Sequence, residues 1–451
     1  MPISAVTNVL AILRHYQRAK TYRPPQHRSD LLQWQDKQVQ AFVDRIRAKS
    51  PFYQQHWAGM PSESWQTFPC IDKAVWMNNF DTINTVGLSR KETLEFATAA
   101  ETHRKFQSTL KGVTVGLSSG TSGQRGLFLA SPNERQRWAG EILAHVLPKG
   151  LLHPERIAFF LRADSTLYEQ LALGWIRFQF FDLLASVTQH LAELDRLDPT
   201  LLVGPPALLR LLAIAQRKGD LHINPRRIFS VADVLDANEV TLLEATFQCP
   251  VGQVYQATEG FLGISCSQGY IHLNEHLVAI QQEVLDPNTG HFTPILTDFT
   301  RESQPLVRYR LTDVLLPLKM ACPCGSTHLA LERIEGRCDE LLWLPSIKDA
   351  TLQPVFPDFI VRWVLQACPN VETFCVQQSQ TLQWQVGLPQ AVFLLENEAT
   401  LTKALEQGLV SLCQQLGVQK PQWQLEPYIP PTLEKKRRRV LCLCPPEQEG
   451  F

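Results

Sequence analysis

The chain of 451 residues has no apolar run approaching the roughly 18 residues a membrane helix needs. A helical membrane span is therefore excluded. It also lacks a charge imbalance: 43 Lys and Arg stand against 44 Asp and Glu, a net charge of −1. No global field draws such a chain to nucleic acid or to an anionic membrane. The first stretch, MPISAVTNVLAILRHYQ, has a short apolar core but neither a basic leader nor a small-residue cleavage site; it reads as an amphipathic helix rather than a secretory signal. The eleven cysteines are odd in number and follow no framework spacing, which suits a reducing cytoplasm better than a disulfide scaffold. Internal repeats and low-complexity linkers are missing too. What is present is the make-up of an ordinary folded protein, 44% hydrophobic and 19% charged, long enough for about two or three domains with a large core.

The organising stretch is Leu117–Phe128, LSSGTSGQRGLF. Apolar Val113–Leu117 precedes a small polar run and apolar Leu127–Ala130 follows it, which predicts strand, loop, strand. Ser118, Ser119, Thr121 and Ser122 carry hydroxyls, and Gly120 and Gly123 let the backbone turn toward one anion. That is phosphate-gripping chemistry; a Ser/Gly surface hairpin is the alternative from these residues alone. The lysine of a G-x-x-x-x-G-K-[ST] loop is missing.

Residues 1–110 read as helices with polar joints, among them Leu31–Lys49, with Ser62–Lys73 as an extended connector. Ser131–Leu147 opens with Ser-Pro and an acidic first turn, good helix-start chemistry. From 155 to 255, apolar strands alternate with helices, among them Pro206–Lys218 and Ala237–Phe247. This predicts an α/β fold with a mostly parallel sheet flanked by helices, and ligands collect at the carboxyl ends of its strands. After residue 260 the pattern becomes β-rich. Near Glu335–Gly336 a smaller α+β unit begins, which gives domains of 1–336 and 337–451.

Four further features carry chemistry. In YQATEG, Tyr255–Gly260, a carboxylate beside a hydroxyl, Glu259 next to Thr258, can hold Mg²⁺ against a nucleotide, or else cap a helix. In LVRYRLTDV, Asp313 can accept both ribose hydroxyls, or else close a turn. RIEGRCDELLWL, Arg333–Leu344, puts a glycine and charges at the presumed domain junction, where a hinge belongs. PPTLEKKRRRV holds five consecutive cations, Lys435–Arg439, on a proline-bounded loop that otherwise reads as a solvated basic tail.

With these motifs in this order from about residue 110 to 440, the chain resembles the adenylate-forming (acyl-CoA synthetase) superfamily. Within it the likeness is to the phenylacetate–CoA ligase-like branch, which includes ligases that adenylylate a deazaflavin cofactor. The resemblance implies a large multi-layer N-terminal domain, a small mobile C-terminal lid, and an active site between them. It assigns Ser118, Ser119, Gly120, Thr121, Ser122 and Gly123 to the phosphate loop, Glu259 to magnesium and Thr258 to phosphate. Tyr255 then packs near adenine, Asp313 binds ribose, Arg337 stands at the hinge and Asp339 is the residue about which the lid rotates. Lys436, three places before Arg439-Val440, becomes the catalytic lysine, with Lys435 as fallback.

Several positions depart from the family pattern. Gln124-Arg125 replaces the lysine usual after the first loop, Val231-Ala232-Asp233 stands where a Gly-Gly-Glu or Gly-Ala-Glu lines the adenine, Thr312 precedes the ribose aspartate, and Lys435 precedes the catalytic lysine. The implied reaction consumes ATP and a carboxylate, gives acyl-AMP and pyrophosphate, and passes the acyl group to a thiol, coenzyme A or a carrier-protein arm. An adenylyltransferase, an amide-forming ligase and a catalytically weak binding subunit are the alternatives.

Cys266 and His272 are spaced C-x5-H on an expected hairpin, and Cys322-Pro323-Cys324-Gly325 forms a tight C-x-C knuckle. Four such ligands suit tetrahedral zinc, although the same residues also occur as unrelated core thiols. The phenylacetate–CoA ligase-like branch carries a similar set in the same places, which implies a structural zinc. Cys442 and Cys444 have no partner pair nearby and read as packing. Trp175, Phe178, Phe180 and Phe181 are expected between sheet and helix, with walling of the acyl pocket by one or two of them as the alternative, and His145, His153 and His190 on the surface or a helix face.

Overall fold

The computed structural model describes residues 3–103, 109–117, 126–147, 149–161, 175–183, 185–369, 371, 373–395, 397–429 and 438–445. It divides into two compact units. One comprises Met1–Glu283, Pro294–Leu311 and Pro317–Arg333; the other comprises Val284–Thr293, Thr312–Leu316 and Ile334–Phe451.

The first unit is built on the expected parallel sheet. Strands β3 (Glu155–Leu161), β4 (Ile176–Asp182), β5 (Leu201–Gly204), β6 (Arg227–Ser230) and β7 (Val251–Ala257) lie in the order β4-β3-β5-β6-β7, all neighbours parallel. β5, LLVG, is buried at every residue, as a central strand covered on both faces must be. The covering helices are amphipathic and cleanly terminated. Pro206–Lys218 opens on a proline and closes at Gly219, whose φ of 80° a side chain would resist. Ala237–Phe247 opens on a reciprocal capping box between Asp236 and Glu239. Leu194 and Leu197 from helix Val187–Leu197, with Leu208, Leu209, Leu212 and Leu243 from these two helices, meet Ala158, Phe160, Phe181, Leu202 and Ile228 from the sheet in one core.

At β7 the sheet changes character. β8 (Gly260–Ser265) and β9 (Ile271–Leu273) continue it antiparallel, so the β7–β8 turn falls at the carboxyl edge of the last parallel strand. β1 (Thr114–Leu117) and β2 (Leu127–Ala130) form the two expected strands as a separate antiparallel pair, with Leu117 opposite Leu127. Gly116 is required there: a Cβ on it would meet the Phe128 ring at 2.0 Å. Helix Pro132–Val146 follows β2, and the expected Ser-Pro start with its acidic first turn takes the form of a Ser131–Glu134 capping box.

The second unit carries a four-stranded sheet of Gln422–Tyr428, Gln383–Pro389, Cys375–Gln380 and Val440–Cys442. Helices Pro357–Ala367 and Glu398–Leu416 pack on it through Ile360, Trp363, Leu401, Leu405 and Leu409. Trp363 lies so close to Gly408 that a Cβ there would meet its Cδ1 at 2.8 Å. Cys442 is buried in this core and its thiol faces Gln378 Oε1 at 3.3 Å, the packing role expected of it.

Some local expectations are corrected. Residues Ser62–Thr67 form a 3-10 turn, not an extended connector, because buried Trp65 donates from Nε1 to Asp36 at 2.7 Å. Trp175 is 58% exposed and hydrogen-bonds the Leu151 carbonyl instead of packing under a helix. His190 is buried against Phe160 and Phe181, and its Nε2 meets the Asp182 carbonyl at 2.9 Å.

Candidate active site

Of the proposed phosphate loop, only the strands that frame it are within the described residues. Ser118, Ser119, Gly120, Thr121, Ser122 and Gly123 lie outside them, as do Gln124, Arg125, Lys435 and Lys436.

The Tyr255–Gly260 motif sits where the sheet reading puts it. Tyr255 is buried within β7, and Thr258 and Glu259 make the turn into β8. Gly260 has a φ of 155°, and a Cβ there would approach Asp298 Oδ2 to 3.3 Å; glycine lets the turn close over that carboxylate. Burial pushes the Asp298 carboxyl above its ordinary range, against the pull of Arg301 and Thr300.

The Glu259 side chain is held from one side. Tyr309 Oη donates to its Oε1 at 3.1 Å, and Glu259 Oε2 makes no hydrogen bond among the described residues. Burial and the neighbouring Glu259 raise the Tyr309 hydroxyl well above the normal tyrosine range, so it stays protonated and acts as a donor. A half-buried carboxylate with one oxygen fixed and the other open has the chemistry to take a hard divalent cation beside phosphate oxygens.

The turn is also held through its backbone. Arg301 Nη1 donates to the carbonyls of Thr258 at 3.0 Å and Glu259 at 2.8 Å. Its Nη2 donates to the Leu129 carbonyl at 3.0 Å and to Gln304 Oε1 at 2.6 Å. Gln304 Oε1 accepts in turn from Leu129 N at 2.8 Å, and Nε2 donates to Leu127 O at 3.4 Å. Glu134 anchors the next step, accepting from the backbone N–H groups of Glu302 and Ser303 and from the Ser303 hydroxyl. Burial alone would raise the Glu134 carboxyl; the Ser303 hydroxyl, Arg301 and backbone donors outweigh it and hold the group below the glutamate range.

Nearby on the sheet, Val231 N donates to Gly204 O at 3.1 Å, and Ala232 follows with a φ of 69°. A non-glycine residue in the left-handed region stores about 1–2 kcal/mol of backbone strain. This bend turns Asp233 outward into solvent.

In the second unit, Asp313 opens the strand Asp313–Pro317, and Arg337 ends the strand Ala330–Arg337. Arg337 Nε stands 3.6 Å from Asp313 Oδ1, with 16% of the Asp313 side chain exposed. Cys338 N donates to Thr312 O at 2.7 Å and fixes this pairing. Asp339, the expected hinge residue, pairs with Arg438 Nη1 at 2.5 Å.

The four candidate metal ligands are brought together. The ligand atoms of Cys266, His272, Cys322 and Cys324 all lie within 4.8 Å of one another. Cys266 Sγ is 3.7 Å from Cys322 Sγ, and Cys324 Sγ is 3.4 Å from His272 Nε2. Sulfurs bound tetrahedrally to zinc at about 2.3 Å are about 3.8 Å apart, so the cluster fits that ion. His272 Nδ1 faces the His328 carbonyl at 3.2 Å; this contact puts the proton on Nδ1 and aims the Nε2 lone pair at the cluster. The β8–β9 hairpin supplies one pair of ligands and the Cys322–Gly325 knuckle the other. β9 and the strand Ala330–Arg337 bring them together, with His272 paired to Ala330.

The sequence motifs point to Glu259, Asp313 and the four metal ligands but pass over Arg301, Gln304 and Glu134. Tyr309 lies inside the LVRYRLTDV stretch, where only Asp313 stands out by its chemistry; Arg301 and Gln304, in TRESQ, lie outside every motif.

This is the architecture of the acyl-CoA ligases. A 2-hydroxyisobutyryl-CoA ligase solved with its acyl-AMP aligns over 94% of each chain with a TM-score of 0.64 and 18% identity. An open conformation of that ligase, with acyl-AMP and coenzyme A, aligns over 94% of this chain and 96% of its own at a TM-score of 0.61 and 18% identity. Among curated proteins, phenylacetate-coenzyme A ligase of Thermus thermophilus is 35% identical over 96 residues. That match spans 20% of this chain and 20% of the relative. No family model matches. The resemblance drawn from the motifs, to the adenylate-forming ligases and their phenylacetate–CoA ligase-like branch, and the α/β fold it implies are both borne out. Among the described residues no helix is long and apolar enough to cross a membrane.

Proposed function

We propose that this protein activates a carboxylic acid with ATP as acyl-AMP, releasing pyrophosphate, and passes the acyl group to the thiol of coenzyme A. The observation that carries the reading is the Glu259 carboxylate, fixed by Tyr309 at the carboxyl edge of the parallel sheet in a chain with the acyl-CoA ligase fold.

The hydroxyls and N–H groups of residues 118–123 and Thr258 grip the phosphates. Tyr255 and Ala232-Asp233 border the adenine, and Asp313 accepts the ribose hydroxyls. Glu259 would hold magnesium, which would supply charge neutralisation for the triphosphate. Lys436 stabilises charge on the acyl phosphate as the carboxylate attacks the α-phosphorus, and Arg337 stands at the hinge. The lid, 337–451, then turns about Asp339 and withdraws Lys436, which opens a path for the thiol. Cys266, His272, Cys322 and Cys324 hold a structural zinc that braces the β-rich part of the first unit.

The test is incubation with ATP, Mg²⁺ and a panel of aromatic and aliphatic acids, with and without coenzyme A, products detected by mass. An acyl-AMP that converts to acyl-CoA only with coenzyme A supports the reading. Transfer to an amine or a carrier-protein thiol instead reassigns the second step, and no acyl-AMP from any acid refutes the first.

A further inference from the structure

Arg301 touches both elements that frame the nucleotide motifs, and none of the motifs contains it. One guanidinium nitrogen donates to Thr258 O and Glu259 O at 3.0 and 2.8 Å, the backbone on which the proposed magnesium carboxylate stands. The other donates to Leu129 O at 3.0 Å and Gln304 Oε1 at 2.6 Å. Leu129 belongs to β2, the strand that follows residues 118–125. β2 pairs with β1 along one edge. Along the other, a side chain substitutes for a neighbouring strand: Gln304, 4% exposed, accepts from Leu129 N and donates to Leu127 O.

We infer that Arg301, with Gln304, is a positioning residue that sets the separation between the phosphate-loop stem and the Glu259 turn. The inference rests on the reading that these two loops bind MgATP. The fork geometry of arginine suits such a bridge, because its donors are spread over a rigid plane and reach carbonyls on two chain segments at once, where a lysine offers a single point charge. Ser303, on the same segment, is itself pinned by Glu134 at the start of helix Pro132–Val146, so the base to which Arg301 belongs is stiff. A shift of about 1 Å between two groups that address one substrate costs up to about 100-fold in rate.

Arg301→Gln tests this. In wild type and variant, kcat and KM are measured for acyl-AMP formation, with MgATP and the acid varied separately, and the Mg²⁺ activation curve is recorded. The inference predicts KM for MgATP raised about 10-fold or more, kcat lowered, Mg²⁺ activation moved to higher concentration, and KM for the acid unchanged. Arg301→Lys, which keeps the charge but not the fork, falls between. Unchanged MgATP and Mg²⁺ parameters, or equal rises in both KM values, would overturn it. If Arg301→Gln does not fold, Gln304→Ala releases β2 and leaves Arg301 on the Glu259 turn. It predicts the same selective rise in KM for MgATP at several-fold size, and no rise overturns the inference. A wild type that forms no acyl-AMP with any acid contradicts the proposed function; an active wild type with normal variants contradicts only the role of Arg301.

Discussion

The Cys/His cluster and the Glu259 turn lie in the same unit and are built in opposite ways. The cluster is closed on itself: four ligands from a hairpin and a knuckle meet within 4.8 Å, and spacing in the sequence announces each pair. The Glu259 turn is open. Its carboxylate is held by Tyr309 and its backbone by Arg301, which lie 50 and 42 residues away in sequence, and the second carboxylate oxygen makes no hydrogen bond among the described residues. A structural ion needs a complete shell supplied by the protein, whereas a catalytic cation shares its shell with substrate. A closed site is therefore readable as a local motif, and an open one depends on long-range partners that no motif marks.

Three perturbations separate the two. The largest effect is expected at the cluster: Cys324→Ser takes the purified protein from about one zinc equivalent to none and leaves the β8–β9 hairpin unbraced, seen as a large drop in melting temperature. A metal-free, equally stable wild type would break the contrast. Next, Tyr309→Phe removes a hydrogen bond to a charged carboxylate, worth about 1.5–3 kcal/mol. It lowers kcat/KM for MgATP about 10-fold or more, leaves zinc content unchanged and lowers the melting temperature by less than Cys324→Ser does. Equal loss of zinc and activity would show the sites to be one structural unit.

The smallest effect concerns the support beneath the turn. Glu134 titrates below the ordinary glutamate range in the folded protein. Its stabilisation is full above the unfolded value of about 4.3 and is lost as pH falls through the lower folded value. Glu134→Gln costs about 1–3 kcal/mol at neutral pH and flattens the acid limb of stability against pH, as denaturant titration between about pH 3 and 7 would record. A parallel acid limb in the variant would assign that limb to other groups.

Much of the scaffold was legible because it rests on short-range physics. Helices Pro206–Lys218 and Ala237–Phe247 read to the residue, since proline, glycine and the Asp236–Glu239 box mark their ends. The apolar runs of β3, β5, β6 and β7 alternate with helices and leave little choice but a parallel sheet. Ser62–Thr67 was misread because its turn is stabilised by Trp65 reaching Asp36 on another helix, and Trp175 because an aromatic residue at a strand entry need not be covered. At the site, the motif aspartate, glutamate and arginine of the hinge stood out by type and order. Arg301 and Gln304 did not: an arginine and a glutamine in a polar loop look solvated until folding brings β2 and the Glu259 turn to them.

The central claim is carboxylate activation on ATP through Glu259. Exchange of labelled pyrophosphate into ATP tests it most directly, run over a panel of acids with wild type and Glu259→Gln. The account predicts acid-dependent exchange by wild type and a loss of about 100-fold or more in the variant, with its zinc intact. Exchange by the variant at the wild-type rate, or none by wild type with any acid, would contradict it.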